Sequence, residues 1–472
     1  MLWTTALGLW GLPRRHSLWR DEAATWQVAL RDTSDIWHML GQVDAVHGLY
    51  YLLMHALFTC FGPGTATLRL PSVLAMAVAA ACVTAIGARL AGRWAGLGAG
   101  LALGLLPAVQ SYLQEGRPYA LVAAGAGIST LLLVTQLTDR ARTARWTAYG
   151  GTILLCGLLN WLSLLTLPAH ALTLALSRAG RGTWARWSVA SAVAVAGTAP
   201  LVLFSHRQSA QISWIPPLTW HMLIGPAVLV GVGCLGALAD RARGNRAGAG
   251  PRPARLSLGV VGLPLLAVPH LGLVLLSLVK PLFLDRYVLF SQLGLALLAG
   301  AGLGAAVRAV RPRFPRGAPF VLPVVLAVAV AALLPYSLAK RSPASRVDDV
   351  FAVAGRVERL KRDGNAVLFV PAARRDTALV SPGAFAGLRD IALTEGPVES
   401  GTLKGVEAEP GRIRAAMLRE RRILLVTDAP KVARPVSGRR DRVKRDVLGK
   451  YFTAVADEWV RGRRVTVYER TA

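Results

Sequence analysis

The chain has 472 residues, 53% of them hydrophobic and 17% charged, which is too apolar for an ordinary soluble domain of this length. Its formal net charge is +28; much of that excess sits in short loops between hydrophobic segments, where the positive-inside rule accounts for it without a nucleic-acid partner. Cys60, Cys82, Cys156 and Cys234 all lie in or beside apolar segments, a distribution that excludes a disulfide framework and a cysteine metal site.

Met1 to Leu12 is apolar but only about 12 residues long, roughly 18 Å as a helix against a hydrocarbon core near 30 Å. It lacks the basic start and small-residue cleavage site of a signal peptide and reads as an incomplete first span. Pro13 to Arg69 is mixed. Within it, Ala24 to Met39 is amphipathic and carries Trp26 and Trp37, as expected of an interfacial helix, and Gly48 to Phe61 is apolar but short for a span.

Basic clusters then punctuate the apolar runs: Arg89 and Arg93; Arg140, Arg142 and Arg145; Arg178, Arg181 and Arg186; Arg241, Arg243, Arg246, Arg252 and Arg255; Arg308, Arg311, Arg313 and Arg316. Placing all of them in the cytoplasm puts the alternate loops outside: Gln114 to Pro118, the vicinity of Asn160, Ser205 to Pro217, and Lys280 to Tyr287. The whole of Pro13 to Arg69 is then outside too, with Gly48 to Phe61 dipping into the bilayer or lying flat on it. A full span there would reverse every later loop.

The result is a mainly α, polytopic membrane protein of about eleven spans: Met1–Leu12, Leu70–Leu90, Ala95–Tyr112, Tyr119–Thr138, Trp146–Asn160, Trp161–Ser177, Ser188–Phe204, Leu218–Ala239, Leu256–Val279, Tyr287–Val307 and Phe320–Ala339. The fifth and sixth are short enough for a re-entrant pair. Arg241 to Arg255 reads as a disordered cytoplasmic loop. An odd number of spans places the tail outside. From about Ser342 it alternates helical patterns (Asp349 to Arg362, Gly411 to Arg421, Arg439 to Tyr451) with short apolar strands (Ala366–Val370, Ile423–Thr427, Val465–Tyr468), the pattern of a small α/β domain. The domains are thus 1–340, with 13–69 as its first outer loop, and 341–472. The tail holds no phosphate loop, nucleophile elbow or metal spacing and is assigned no catalytic role. The excess of Arg over Lys with abundant Ala and Gly points to a high-GC bacterium, an actinobacterium by expectation.

This topology gathers polar groups on the outer face: Asp21 and Glu22; Asp44, His47 and Tyr50; Glu115, Arg117 and Tyr119; Lys280, Asp285, Arg286 and Tyr287. Carboxylates at membrane depth mark substrate or ion paths, and Asp and Glu have no long stem with which to snorkel to water. The bland alternatives are a solvated loop for Asp21 and Glu22 and interfacial anchoring for Lys280, Arg286 and Tyr287. In the outer loop 208–217, Gln208, Gln211 and Trp214 suit hydroxyls and a sugar face, against the plainer reading of a Pro-terminated turn with an interfacial Trp.

The ordered set Trp19-Arg20-Asp21-Glu22-Ala23, Asp44-x-x-His47-Gly48-Leu49-Tyr50-Tyr51, Leu68-Arg69-Leu70-Pro71-Ser72, Gln114-Glu115-Gly116-Arg117-Pro118-Tyr119 and Asp285-Arg286-Tyr287 resembles the GT-C membrane glycosyltransferases. The likeness covers roughly residues 15 to 310 and is strongest to bacterial relatives of family 39 protein O-mannosyltransferases and of the lipid A aminoarabinose transferase. Asn160-Trp161 departs from the His-Tyr expected in such relatives. The resemblance implies a polyprenyl phosphate sugar donor used on the extracytoplasmic side. It implies an essential acid at Asp21 with Glu22 beside it, an active-site Glu115, inversion at the sugar carbon, and mannose as the default sugar.

The residue types fit that chemistry. Asp21 is the candidate base, with mutual repulsion among Asp21, Glu22, Asp44 and Glu115 tending to raise at least one of their pKa values. Arg117, Lys280 and Arg286 are the cations for a phosphate, Arg by a two-point clamp and Lys as a point charge. A divalent cation is left open, with Asp21, Glu115 and His47 as the ligands available. Partners are therefore the lipid donor, a protein, lipid or cell-wall glycan acceptor, and membrane lipid. The rival class, a polyprenyl-lipid or solute transporter, is disfavoured by the crowding of charge on one face and by the lack of internal repeats.

Overall fold

A computed structural model describes residues 1–139, 142–208, 214–246, 256–362, 364–435 and 438–471. The helices run in chain order as α1 (Leu2–Leu9), α2 (Arg20–Ala29), α3 (Thr33–Gln42), α4 (Gly48–Phe61), α5 (Thr65–Ala91), α6 (Arg93–Leu105), α7 (Pro107–Tyr112), α8 (Tyr119–Thr138), α9 (Thr143–Leu159), α10 (Thr166–Leu176), α11 (Arg181–Arg207), α12 (Ile224–Arg246), α13 (Leu258–Val279), α14 (Gln292–Val310), α15 (Val321–Arg341), α16 (Val350–Leu360), α17 (Asp376–Val380), α18 (Pro410–Met417) and α19 (Arg439–Tyr451). The strands are β1 (Ala366–Val370), β2 (Arg389–Asp390), β3 (Leu393–Glu395), β4 (Val406–Glu407), β5 (Arg422–Asp428), β6 (Phe452–Val460) and β7 (Arg463–Arg470).

All eleven expected spans are helical, and seven helices among the described residues are long and apolar enough to cross a membrane. The other four are short or broken, each for a local reason. The first is the eight-residue α1. Ala95–Tyr112 breaks into α6 and α7 at Leu106, which takes an extended ψ of 130° because Pro107 follows it. Thr143–Leu159 has 17 residues, and the sixth opens as a 3-10 turn over Trp161–Leu165 before α10. Two expectations need correction. Ala24 to Met39 is not one helix, because Leu30–Asp32 separates α2 from α3. The basic stretch from Arg241 is not wholly a loop: α12 continues to Arg246, while 247–255 lie outside the described residues.

The chain forms two compact units, Met1–Trp10 with Arg69–Leu338 and Gly11–Leu68 with Ala339–Ala472. Residues 11–68, most of the stretch grouped by sequence with the membrane helices, thus belong to the same unit as the C-terminal region, while Arg69 opens the long segment of the first unit.

In the first unit the packing rests on small residues, as it must where lipid gives no hydrophobic drive between helices. A Cβ added to Gly300 of α14 would lie 2.7 Å from the Ala99 Cβ of α6, so the close approach of these helices requires glycine there. A buried polar chain ties four helices: the Tyr149 hydroxyl lies 2.8 Å from His170 Nδ1, Thr130 Oγ1 lies 3.0 Å from His170 Nε2, and Trp187 Nε1 donates to Tyr149 at 3.0 Å.

The second unit is built on a five-stranded sheet in the order β2-β1-β5-β7-β6. β1 runs parallel to β2 and β5, while β7 is antiparallel to β5 and β6. Every residue of β1 is buried because alternate side chains enter cores on opposite faces. Ala366, Leu368 and Val370 pack with Ile413, Met417 and Leu448 from α18 and α19. Val367 and Phe369 pack with Val353 and Val357 from α16. The amphipathic segments of residues 13–69 have their own core, with Val28 of α2, Ile36 and Met39 of α3 and Tyr51 of α4 all fully buried.

Candidate functional site

In the second unit, Asp21 and Glu22 occupy the first turn of α2, where the helix dipole favours negative charge. Successive residues on a helix point about 100° apart, and here the difference separates the pair: Glu22 is fully buried and Asp21 is half-buried. The residue before the helix, Trp19, supplies no side-chain cap. The Arg20 backbone N–H instead donates to Asp348 Oδ1 at 3.1 Å. One strand-like bond adds to this, Val350 N–H to the Leu18 carbonyl at 2.6 Å.

Asp44 sits in the left-handed region at φ 62°, a conformation Asp tolerates better than most residues. Its two carboxylate oxygens face His47 Nδ1 at 2.7 Å and the Tyr51 hydroxyl. Asp44 and His47 are therefore partners of one another at the entrance to α4, and Tyr50 is fully buried beside them in sequence.

Asp348 is buried among cations. Burial alone would raise its pKa, but Arg463 and Arg20 outweigh that and hold it below the usual carboxylate range. Burial lifts the neighbouring Asp349 upward even though the Ala352 N–H and Arg461 pull the other way.

In the first unit, the turn between α7 and α8 carries Glu115 and Arg117, which are 1% and 8% exposed. Its shape is fixed through the backbone. The Ser72 hydroxyl of α5 donates to the Glu115 carbonyl at 2.6 Å, and the Arg117 N–H donates to the same carbonyl at 2.8 Å. Gln114 Nε2 donates to the Gly8 and Trp10 carbonyls, each at 2.7 Å, so this turn also holds α1. The Arg286 guanidinium lies over two rings, 5.9 Å from the Tyr119 centroid and 5.7 Å from that of Trp214. Tyr119 in turn meets Tyr287 and Tyr112, each with centroids 6.1 Å apart. Lys280 ends α13 in extended conformation.

The structure thus joins Tyr119, Trp214, Arg286 and Tyr287 in one aromatic and cationic cluster. Trp214, expected to offer a face to sugar, gives a ring face to Arg286. Gln211 lies outside the described residues. Among the described residues no three His, Cys, Asp or Glu side chains converge as metal ligands would. Sequence reasoning missed Asp348 and Asp428 as partners of Arg20, and it placed Arg69 in a motif without giving it a role, although Arg69 is only 1% exposed in the second turn of α5. The signal for Arg69 was present, since a cation opening an apolar run demands compensation.

The fold resembles that of GT-C membrane proteins. The crystal structure of ArnT from Cupriavidus metallidurans bound to undecaprenyl phosphate aligns over 98% of this chain and 96% of its own, with a TM-score of 0.60 at 14% identity. Its apo form gives the same values. The arabinofuranosyltransferase AftD from Mycobacteria matches over 90% of this chain and 35% of its own, with a TM-score of 0.49 at 17% identity. No protein-family model and no curated protein sequence matches the chain.

Proposed function

We propose that this membrane protein is a glycosyltransferase that moves a sugar, by expectation mannose, from a polyprenyl phosphate carrier to an acceptor hydroxyl on the extracytoplasmic side. The observation that carries the reading is the likeness of fold to ArnT along almost the whole of both chains, ArnT having been crystallised with undecaprenyl phosphate. The acceptor is a protein, lipid or cell-wall glycan. The outward orientation of Asp21, Glu115 and the C-terminal domain rests on the distribution of Arg among the loops.

In this reading Asp21 takes the proton from the acceptor hydroxyl as its oxygen attacks the anomeric carbon. The bond from that carbon to the phosphate oxygen breaks, and the polyprenyl phosphate leaves with the electron pair. One displacement inverts the configuration. Partial exposure supports Asp21 over the fully buried Glu22 as the group that meets substrate, leaving Glu22 to orient it. Glu115 binds donor or acceptor hydroxyls. Arg117, Lys280 and Arg286 neutralise the phosphate, and the rings of Tyr119 and Trp214 hold the Arg286 plane so that its N–H edges are presented to oxygen.

Positioned base catalysis is typically worth about 10²–10⁴-fold, so Asp21→Asn should cut the transfer rate by that factor while the protein still binds donor. Wild-type turnover by Asp21→Asn would remove the base assignment. A panel of donors carrying mannose, glucose, galactose or aminoarabinose identifies the sugar.

A further inference from the structure

Arg20, the first residue of α2, belongs to a closed ring of alternating charges. Its Nε donates to Asp348 Oδ2 at 3.0 Å and its Nη2 to Asp428 Oδ1 at 3.4 Å. Asp348 also accepts from Arg463 Nε and Nη2, at 3.1 and 2.9 Å. Arg463 forks onto Asp376 at 2.5 and 2.7 Å. Arg374 lies 3.7 Å from Asp376 and donates to Asp428 Oδ2 at 3.0 Å, which closes the ring. The Asp348 and Arg463 side chains have no exposure at all, and that of Arg20 keeps 25%. Five members come from the C-terminal domain and one from the segment that precedes the acids.

The ring does more than neutralise charge. Asp348 accepts the Arg20 backbone N–H as well as its side chain, so the cap that Trp19 does not provide comes from a residue 328 positions away. The Val350 to Leu18 bond fixes the chain just before the helix, and Trp26 meets Phe351 edge-on with centroids 5.4 Å apart further along it. A helix start tied at its backbone, its first side chain and its approach has little freedom to rotate or slide. Asp21 and Glu22 directly follow the tied residue.

We infer that Asp348 and Asp428 are positioning residues for the acids of α2, so that the C-terminal domain is part of the machinery of transfer and not an appended binding module. Neither residue touches substrate; each acts through Arg20. A buried ionic ring suits the task because it has one good arrangement: leaving any member unpaired in a dry setting is strongly unfavourable. The inference rests on the donor reading above for its kinetic consequence, but not for its structural one.

The test uses full-length protein in lipid nanodiscs, as wild type, Arg20→Gln, Asp348→Asn and the double variant. Transfer from polyprenyl phosphate mannose and hydrogen exchange of peptides covering Arg20–Ala29 are measured on each. Arg20→Gln should lower kcat by about 10²-fold, the cost typical of misplacing a reacting group by an ångström, with donor KM unchanged. Exchange should rise in α2 while α18 and α19 stay protected. The double variant should be no worse than either single one, and Arg20→Lys should recover part of the rate. Arg20→Gln leaves the buried Arg463 with both its aspartates, so it decides the matter even if Asp348→Asn does not fold. Wild-type kcat and wild-type α2 exchange in Arg20→Gln would overturn the inference. If the wild-type protein transfers nothing from mannose or from any other sugar of the donor panel, the donor reading fails, and α2 exchange still decides whether the ring holds the helix.

Discussion

Asp21 and Glu22 at the start of α2, and Glu115 in the turn between α7 and α8, are acids that the sequence singles out alike, but their surroundings are built by opposite means. The start of α2 is fixed by charge, through six ionised side chains drawn from five stretches of sequence. The Glu115 turn is fixed by neutral donors on backbone carbonyls, from Ser72 and Gln114. The nearby Arg286 is held by aromatic rings. A ring of charges is specific and brittle: it fails when one member is lost or protonated. Carbonyl bonds and ring stacking degrade gradually. Replacing members of each cluster should expose that difference.

The largest effect is expected in the charge ring. Arg463→Ala should destabilise the C-terminal domain by about 3–5 kcal/mol, the cost of leaving buried partners uncompensated, read as a drop in the melting temperature of that transition. A neutral cluster offers no loss of that kind. Ser72→Ala should cost about 0.5–1.5 kcal/mol, because it removes one of the two donors to the Glu115 carbonyl and the Arg117 N–H keeps the other. Hydrogen exchange rising around Glu115 and Arg117, with α2 unaffected, would show it. Trp214→Ala should be milder still. Losing one of the two rings beside Arg286, with Trp214 itself exposed, is worth about 0.5–1 kcal/mol, seen as a raised donor KM with kcat retained.

Acid separates the two constructions in another way. Asp348 titrates below its unfolded value, so its ionised form contributes stability at neutral pH. That contribution is present above about pH 4, the unfolded carboxylate range, and is lost as pH falls through the lower folded value. The stability gap between wild type and Asp348→Asn should therefore be constant from pH 7 to about pH 5 and narrow below about pH 4. A gap that stays constant into strong acid would mean that Asp348 carries no ionic share of the ring.

Much of the architecture was legible because lipid and water write different patterns. The span Tyr119–Thr138 and the helix Arg439–Tyr451 fall where hydropathy and periodicity put them. The interior strand Ala366–Val370 was readable as an unbroken apolar run. The edge strand β6 was not, since Thr453, Asp457 and Glu458 interrupt its apolar residues on both faces and it leaves α19 without a turn. The kink at Leu106 was in principle readable from Pro107. Of the candidate site, residue types and their order were visible, whereas partners were not. Nothing local in Val347-Asp348-Asp349-Val350 says that an aspartate there will cap a helix 328 residues earlier. Nor does Trp214 in a Pro-bounded loop announce Arg286 as its neighbour.

A transferase of this kind moves sugar off a lipid phosphate. The direct measurement is to incubate purified, nanodisc-embedded protein with radiolabelled polyprenyl phosphate mannose and a membrane or cell-wall acceptor extract, and to follow the label. Label should move from lipid to acceptor, free polyprenyl phosphate should accumulate in equal amount, and Asp21→Asn should slow both by about 10²–10⁴-fold. Label that stays on the lipid with every sugar in the donor panel, while the same protein in sealed vesicles moves the intact lipid across the bilayer, would contradict transfer and establish a carrier instead.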